Sequence, residues 1–255
     1  MKTHAAANDT SEAAKRRLLS VRGEPLFFAN WERALFIHYE ADPHHLQQCV
    51  PYELDLYHGR AFVSVVAFRM RRMRPRICGR IAERLFQPVT DSRFLNVRTY
   101  VGHGSESGIY FMSEWLSNRL SVLLGPWSFG LPYRSAHLDY KHAHEINRLG
   151  GAVAAREGKL TYRASWAENK FDISERHSLT EFLLERYTAF TQNRWRKCFF
   201  RIWHAPWRQV SLDIDITAND LIRSTGAWWE GASCVGGNYS PGVSVWMGWP
   251  HRIEI

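Results

Sequence analysis

The chain has 255 residues, 45% hydrophobic and 23% charged, the balance of an ordinary soluble protein with room for one large or two small domains. No apolar run approaches the roughly 18 residues a membrane span needs. No apolar signal core opens the chain either, so a cytoplasmic location is expected. The formal net charge of +8, with arginine far in excess of the six lysines, suits nucleic acid, anionic ligands or solubility alone. Cys49, Cys78, Cys198 and Cys234 lie far apart and form no C-x-x-C pair. That spacing disfavours zinc and redox motifs and fits a reducing compartment.

Residues 1–23 are polar and rich in Ala, Ser, Lys and Arg. Ser11 to Leu19 suits a short helix, but a flexible arm is expected, followed by one domain over 24–255. Ala34 to Glu40 reads as a strand. Asp42-Pro43 starts a short helix, with Asp as cap and Pro at the first position. Leu54–Tyr57 and Ala61–Phe68 read as a hairpin around His58-Gly59. Arg69 to Arg84 is basic and broken by Pro75 and Gly79, so a long loop is expected. Phe94–Val101 and Gly108–Trp115 form a second strand pair. Asn118–Leu124 is a short helix ended by Gly125-Pro126. Tyr133–Lys141 and Lys159–Ala167 form a third pair across a Gly-rich connection.

Ser178-Leu179-Thr180-Glu181 is a capping box, which predicts a helix to about Phe190. Phe199–His204 and Gln209–Ile216 are strands, Asn219–Ser224 a short helix and Gly242–Gly248 a last strand. Many short strands at hairpin spacing, without regular strand–helix alternation, predict a mainly β (α+β) fold. Its antiparallel curved sheet should close into a barrel, with a few short helices at its ends.

Several segments together carry a resemblance: Asp42-Pro43 after the first strand, Gly59-Arg60-Ala61-Phe62-Val63-Ser64, Leu95-Asn96-Val97-Arg98-Thr99-Tyr100, Gly130-Leu131-Pro132-Tyr133, His204-Ala205-Pro206-Trp207 and Tyr239-Ser240-Pro241-Gly242. In this order, over roughly Phe28 to Trp249, they resemble the YqjF-like family of bacterial proteins in the acetoacetate decarboxylase-like superfamily. The resemblance implies a cone-like barrel with a deep pocket and a homo-oligomer, often built from dimers. In the decarboxylases a Gly-aromatic-Pro segment runs into two adjacent lysines, one of which forms a Schiff base and is tuned by the other. Here Tyr133 and Arg134 stand at those positions, and neither can form an imine. The strand that would carry the family's Glu reads Asn96-Val97-Arg98.

Asn96 and Arg98 share a strand face. If that face lines the barrel, Arg98 is an anion clamp for a carboxylate or phosphate; otherwise it is paired or solvated. Tyr133 would orient or protonate a carbonyl or enolate oxygen, or pack as a core aromatic. Arg134 points to the opposite face, and His137 shares Tyr133's parity. Glu114 is the general-base candidate, with a rim salt bridge to Arg119 as the alternative. His204 is a candidate pocket base or a packed residue. His142/His144 and His44/His45 lack a clear third ligand, so no metal is expected, and no cofactor motif occurs.

The leading reading is a pocket for a small anionic, carbonyl-bearing or aromatic metabolite. Any chemistry would be lyase-like or tautomerase-like acid/base work without a Schiff base. A non-catalytic ligand-binding or sensing module is the alternative. A nucleic-acid-associated protein using the Arg69–Arg84 run is a further one.

Overall fold

A computed structural model describes residues 10–77, 91–118, 120–123, 129–192 and 196–253. In chain order the strands begin with β1 (Phe27–Ala41), β2 (Glu53–Leu54), β3 (Ala61–Pro75), β4 (Ser92–His103) and β5 (Glu106–Leu116). They continue with β6 (Tyr133–Ser135), β7 (His137–Ala143), β8 (Arg148–Ala155), β9 (Gly158–Ser165), β10 (Asp172–Ile173) and β11 (Thr188–Gln192). The last are β12 (Lys197–His204), β13 (Arg208–Ser211), β14 (Asp213–Ala218), β15 (Ser233–Met247) and β16 (His251–Arg252). Among the described residues the helices include α1 (Ser11–Leu19), α2 (Pro43–Gln48), α3 (Leu179–Leu184) and α4 (Asp220–Arg223).

Seven strands close into a ring in the order β15-β1-β3-β4-β5-β11-β12 and back to β15. An odd ring cannot alternate direction throughout, so one pair must be parallel, and it is β5–β11. Gly108 permits that junction, because a Cβ there would lie 2.2 Å from the Thr188 carbonyl oxygen. The final closure, β12 to β15, uses Ile202↔Met247, Trp203↔Trp246 and His204↔Val245.

A second sheet, β14-β9-β8-β7, packs against the outside of the ring. This explains why residues 34–39 of β1, 61–68 of β3 and 94–101 of β4 are buried without a break: both faces are covered. Leu35, Ile37 and Tyr39 face the second sheet, with Leu149, Val153, Leu160 and Tyr162 in the same core. Ala34 and Phe36 face the ring interior with Phe68, Phe94 and Phe200.

Several boundaries differ from those expected. The helix over Ser11–Leu19 forms, and it docks rather than fraying: the Ser11 hydroxyl donates to the His204 carbonyl at 2.7 Å and Lys15 lies over the Trp203 ring. Arg69–Pro75, expected in a loop, continues β3 along β1, because Met70 and Met73 still pack on the core on either side of a positive-φ residue, Arg72, and Arg69 and Arg71 pair with acids; residues 78–90 lie outside the described residues. Asp42 caps α2 as expected, accepting from the His44 and His45 amides at 2.9 Å. β2 pairs with β4 rather than with β3, and Tyr57↔Arg60 closes the His58-Gly59 turn.

The expected pairing of Tyr133–Lys141 with Lys159–Ala167 is wrong, because β8 lies between β7 and β9. Gly150-Gly151 within β8 conceal the strand in the sequence, and Gly151 makes room for the Tyr162 ring. The capping box holds, but α3 stops at Leu184 and the chain then enters β11. Gln209–Ile216 is split between β13, in the ring sheet, and β14, in the second sheet. The Asn118–Leu124 helix is seen at residues 120–123, capped by the Asn118 side chain.

Candidate functional site

The ring encloses a cavity of about 60 Å³, room for several waters or a small organic molecule. Alternate residues of β1, β3 and β4 build much of its wall: Ala34 and Phe36, Val66 and Phe68, Asn96 and Arg98. Most of the remaining lining is aromatic or aliphatic. The polar groups, Asn96, Arg98, Glu114 and Tyr133, all come from the neighbouring strands β4, β5 and β6.

Strand register explains how they meet. Asn96 lies opposite Glu114 across β4–β5, and Glu114 lies beside Tyr133 across the parallel β5–β6 pair. A bulge shifts the register between Val97↔Ser113 and Arg98↔Phe111. It therefore lets Glu114 and Phe111, three residues apart, face the same cavity. The segment that places Tyr133 is held by the Glu114 amide donating to the Pro132 carbonyl at 3.2 Å.

The charged groups of the cavity are buried. Arg98 is 5% exposed, and its Nη2 donates to the Leu183 carbonyl at 3.2 Å while its Nε has no partner. Burial lowers its pKa, opposed by the neighbouring Tyr100; a guanidinium still keeps its charge at neutral pH. Glu114 is 4% exposed with an unpaired Oε2. Burial pushes its carboxyl up to about 8, against the pull of Arg98. Tyr133 is raised well above its ordinary value by burial and then by Glu114. Asn96 also leaves Oδ1 buried and unpaired.

A buried polar chain supports this wall. The Tyr100 hydroxyl donates to the Leu183 carbonyl at 2.9 Å and meets Ser64 Oγ at 2.5 Å. Ser64 Oγ lies 2.7 Å from His38 Nδ1, and His38 Nε2 lies 3.1 Å from Asn238 Oδ1. Sequence reasoning missed His38, Ser64 and Tyr100. Their alternation on β1, β3 and β4 was visible, but nothing in the sequence gives the lateral register of those strands.

Three expected ligand-binding residues stand elsewhere. Arg134 is exposed and pairs with Glu157 at 3.2 Å. His137 is exposed on β7, because the chain leaves the ring sheet at Ala136 and parity with Tyr133 is lost. His204 is buried outside the cavity lining, 2.9 Å from the Ala205 carbonyl through Nδ1, and packs against Trp207 and Tyr187. Burial of Glu114 also removes the rim position expected for a surface pair with Arg119, which lies outside the described residues.

None of the described lysines lines the cavity. Lys15 lies over Trp203, Lys197 donates to the Pro51 carbonyl, Lys170 pairs with Asp172, and Lys141 and Lys159 are exposed. In the basic run, Arg69 pairs with Asp91 at 2.7 Å, and Arg71 lies 3.5 Å from Asp91 and 3.7 Å from Glu32. Asp42, His44 and His45 come close enough to hold a cation, but Asp42 Oδ1 is already occupied by two backbone amides. Among the described residues no helix is long and apolar enough to cross a membrane.

A family model for uncharacterized conserved proteins, DUF2071, matches residues 28–243. The uncharacterized protein YqjF of Bacillus subtilis (strain 168) is 31% identical over 201 residues, spanning 77% of this chain and 80% of that one. Solved structures share the fold at low identity. An acetoacetate decarboxylase-like enzyme from Sphingomonas wittichii RW1 matches with a TM-score of 0.60 at 14% identity, covering 91% of this chain and 94% of that one. Acetoacetate decarboxylase from Legionella pneumophila gives 0.61 at 14%, covering 89% and 87%. The enduracididine biosynthesis enzyme MppR, complexed with pyruvate, gives 0.59 at 10%, covering 92% and 93%.

Proposed function

From a chain that belongs to the DUF2071 family and has the acetoacetate decarboxylase-like fold, we propose a binding protein or enzyme for a small carboxylic acid that carries an oxygen function near its carboxylate. One observation carries this reading. Three buried polar atoms, Asn96 Oδ1, Arg98 Nε and Glu114 Oε2, lack partners and belong to side chains lining one otherwise apolar cavity. A buried polar group without a partner costs about 1–3 kcal/mol, and an amphiphilic ligand would satisfy all three. The fold neighbour MppR, whose structure contains pyruvate, lends support by analogy alone.

In this reading Arg98 holds the carboxylate and the aromatic wall covers the rest of the ligand. Glu114, largely protonated at neutral pH, is a general acid for the developing oxyanion. Once that proton has passed to the oxygen, the carboxylate left behind takes the proton from the carbon beside the carbonyl, which makes the enol and returns Glu114 to its acid form. Tyr133, next to Glu114, hydrogen-bonds the same oxygen. The chemistry is proton transfer on an enolisable acid, of lyase or tautomerase type, with no imine. A homo-oligomer and a cytoplasmic setting complete the proposal; light scattering tests the former.

The test is a thermal-shift series with short 2-oxo, 3-oxo and 2-hydroxy acids, followed by NMR of deuterium exchange at the carbon next to the carbonyl. Acids that stabilise the wild type but not Arg98→Leu support the site. Exchange abolished by Glu114→Gln and slowed by Tyr133→Phe makes the protein an enzyme. Binding without exchange makes it a sensor or carrier, and no stabilisation by any acid overturns the reading.

A further inference from the structure

The orphaned oxygen of Asn96 says more about the ligand than its charge. Asn96 and Glu114 are direct partners across β4–β5, which places their Cβ atoms roughly 4.5–5.5 Å apart on one face. Both line the cavity, and each leaves one side-chain oxygen buried and unpaired, Oδ1 of Asn96 and Oε2 of Glu114. An amide oxygen only accepts hydrogen bonds. Whatever fills the space beside it must therefore donate.

The two chemical forms of an oxygen next to a carboxylate differ on this point. A ketone oxygen accepts only; it can take a proton or hydrogen bond from Glu114 but offers Asn96 Oδ1 no donor. A hydroxyl both donates and accepts, so one oxygen can donate to Asn96 Oδ1 and pair with the Glu114 carboxyl. Sites built to hydrogen-bond a substrate hydroxyl discriminate strongly against analogues lacking it.

Resting on the reading of the cavity as an organic-acid site, we infer that Asn96 is a specificity determinant that selects the hydroxyl form, a 2-hydroxy acid or the enol of a 2-oxo acid, over the ketone. Arg98, two residues along β4 on the same face, takes the carboxylate. Phe36, Val66, Phe68 and Phe111 cover an apolar side chain. If the protein is a catalyst, the same preference stabilises the enol relative to the keto acid, which is the direction enolisation requires.

The experiment uses three acids of one carbon skeleton: 2-hydroxy-3-methylbutanoate in both enantiomers, 3-methyl-2-oxobutanoate and 3-methylbutanoate. Each is titrated by calorimetry into the full chain at pH 7. One hydroxy-acid enantiomer is expected to bind about 10- to 100-fold tighter than the oxo acid, and also tighter than the unsubstituted acid. Asn96→Leu, which replaces the amide with an apolar group of similar size, is expected to bring the three affinities together while binding is retained. Wild-type protein that binds the oxo acid as tightly as either hydroxy acid overturns the inference and leaves the acid-binding site standing. An unchanged preference in Asn96→Leu also overturns it. Binding of none of the three, nor of the shorter lactate, pyruvate and propionate series, removes the acid-binding reading itself.

Discussion

Asp55 and Arg186 form an ion pair at 2.6 Å with side chains only 7% and 1% exposed. Arg186 also donates from Nε to the Phe182 carbonyl at 2.7 Å. It thereby ties down the end of α3, whose Leu183 carbonyl receives both Arg98 and Tyr100. Arg186 and Arg98 are near enough to repel, so Asp55 compensates a region holding two buried cations. Asp55→Asn is expected to cost about 3–5 kcal/mol in urea unfolding, as when one partner of a buried pair is removed. The double change Asp55→Leu with Arg186→Met removes both charges and is expected to unfold within about 2 kcal/mol of wild type. Equal losses in the two variants would show that the pair's geometry, rather than uncompensated charge, is what the fold requires.

The stability–pH curve should have its maximum near neutrality. Burial depresses His38 to about 3 and His142 to about 4, and it lowers His204 as well. These histidines are neutral in the fold and protonated in the unfolded chain below about 6.5. Their contribution is therefore lost as pH falls from 6.5 toward their folded values. Glu114, raised to about 8, acts in the opposite sense. Its contribution is complete below about 4.5 and is lost as pH rises through 8. Three groups against one make stability climb from pH 4 to about 6.5, after which Glu114 alone makes it fall toward pH 8. Urea midpoints at half-unit steps would trace this curve. Glu114→Gln should remove the descending limb and leave the ascending one, and a descending limb that survives the change would locate the titration elsewhere.

The apolar runs of β3 and β4 were readable in the chain, as was the fact that Asn96 and Arg98 share a face; the sharing follows from a spacing of two residues. What could not be read were the lateral relations. Glu114 reaches Asn96 through register, and it shares a wall with Phe111 only because of a bulge that no residue type announces. His137 illustrates the reverse error. Parity counted from Tyr133 is meaningful within one strand, but β6 ends at Ser135 and β7 belongs to the second sheet. Strand β8 was hidden because Gly and Ala lack the β-branched signature, although Gly151 is needed there to admit the Tyr162 ring. The docking of α1 depends on contacts 192 and 193 residues away, beyond any local pattern.

That docking covers the seam where the ring closes. The Trp203 indole donates to the Ser11 carbonyl at 3.0 Å, and Lys15 lies 4.5 Å from the Trp203 ring and 5.4 Å from Trp246. The neighbouring seam pair, Ile202 and Met247, points inward and lines the cavity. Ser11→Ala is expected to cost about 1 kcal/mol. Deleting residues 1–20 should cost more and raise amide exchange in residues 202–204 and 245–247 ahead of the rest of the ring. Uniform exchange across the ring after the deletion would mean that α1 supports the whole barrel and not its seam.

Arg98 should prove to be a functional group that the fold carries at a cost. It is buried, has one unpaired nitrogen and lies close to a second arginine. A buried cation without a full set of partners is destabilising relative to an apolar side chain of similar size. Arg98→Met is therefore expected to unfold no earlier than wild type in the absence of ligand, with a gain of up to about 2 kcal/mol. The same change should abolish stabilisation by organic acids. It also withdraws the positive charge that opposes the effect of burial on Glu114, so the descending limb of the pH curve should move to higher pH. A variant that loses more than about 2 kcal/mol would mark Arg98 as a structural strut held by Leu183. A variant as stable as wild type that no longer responds to acids would mark it as the group that holds the carboxylate.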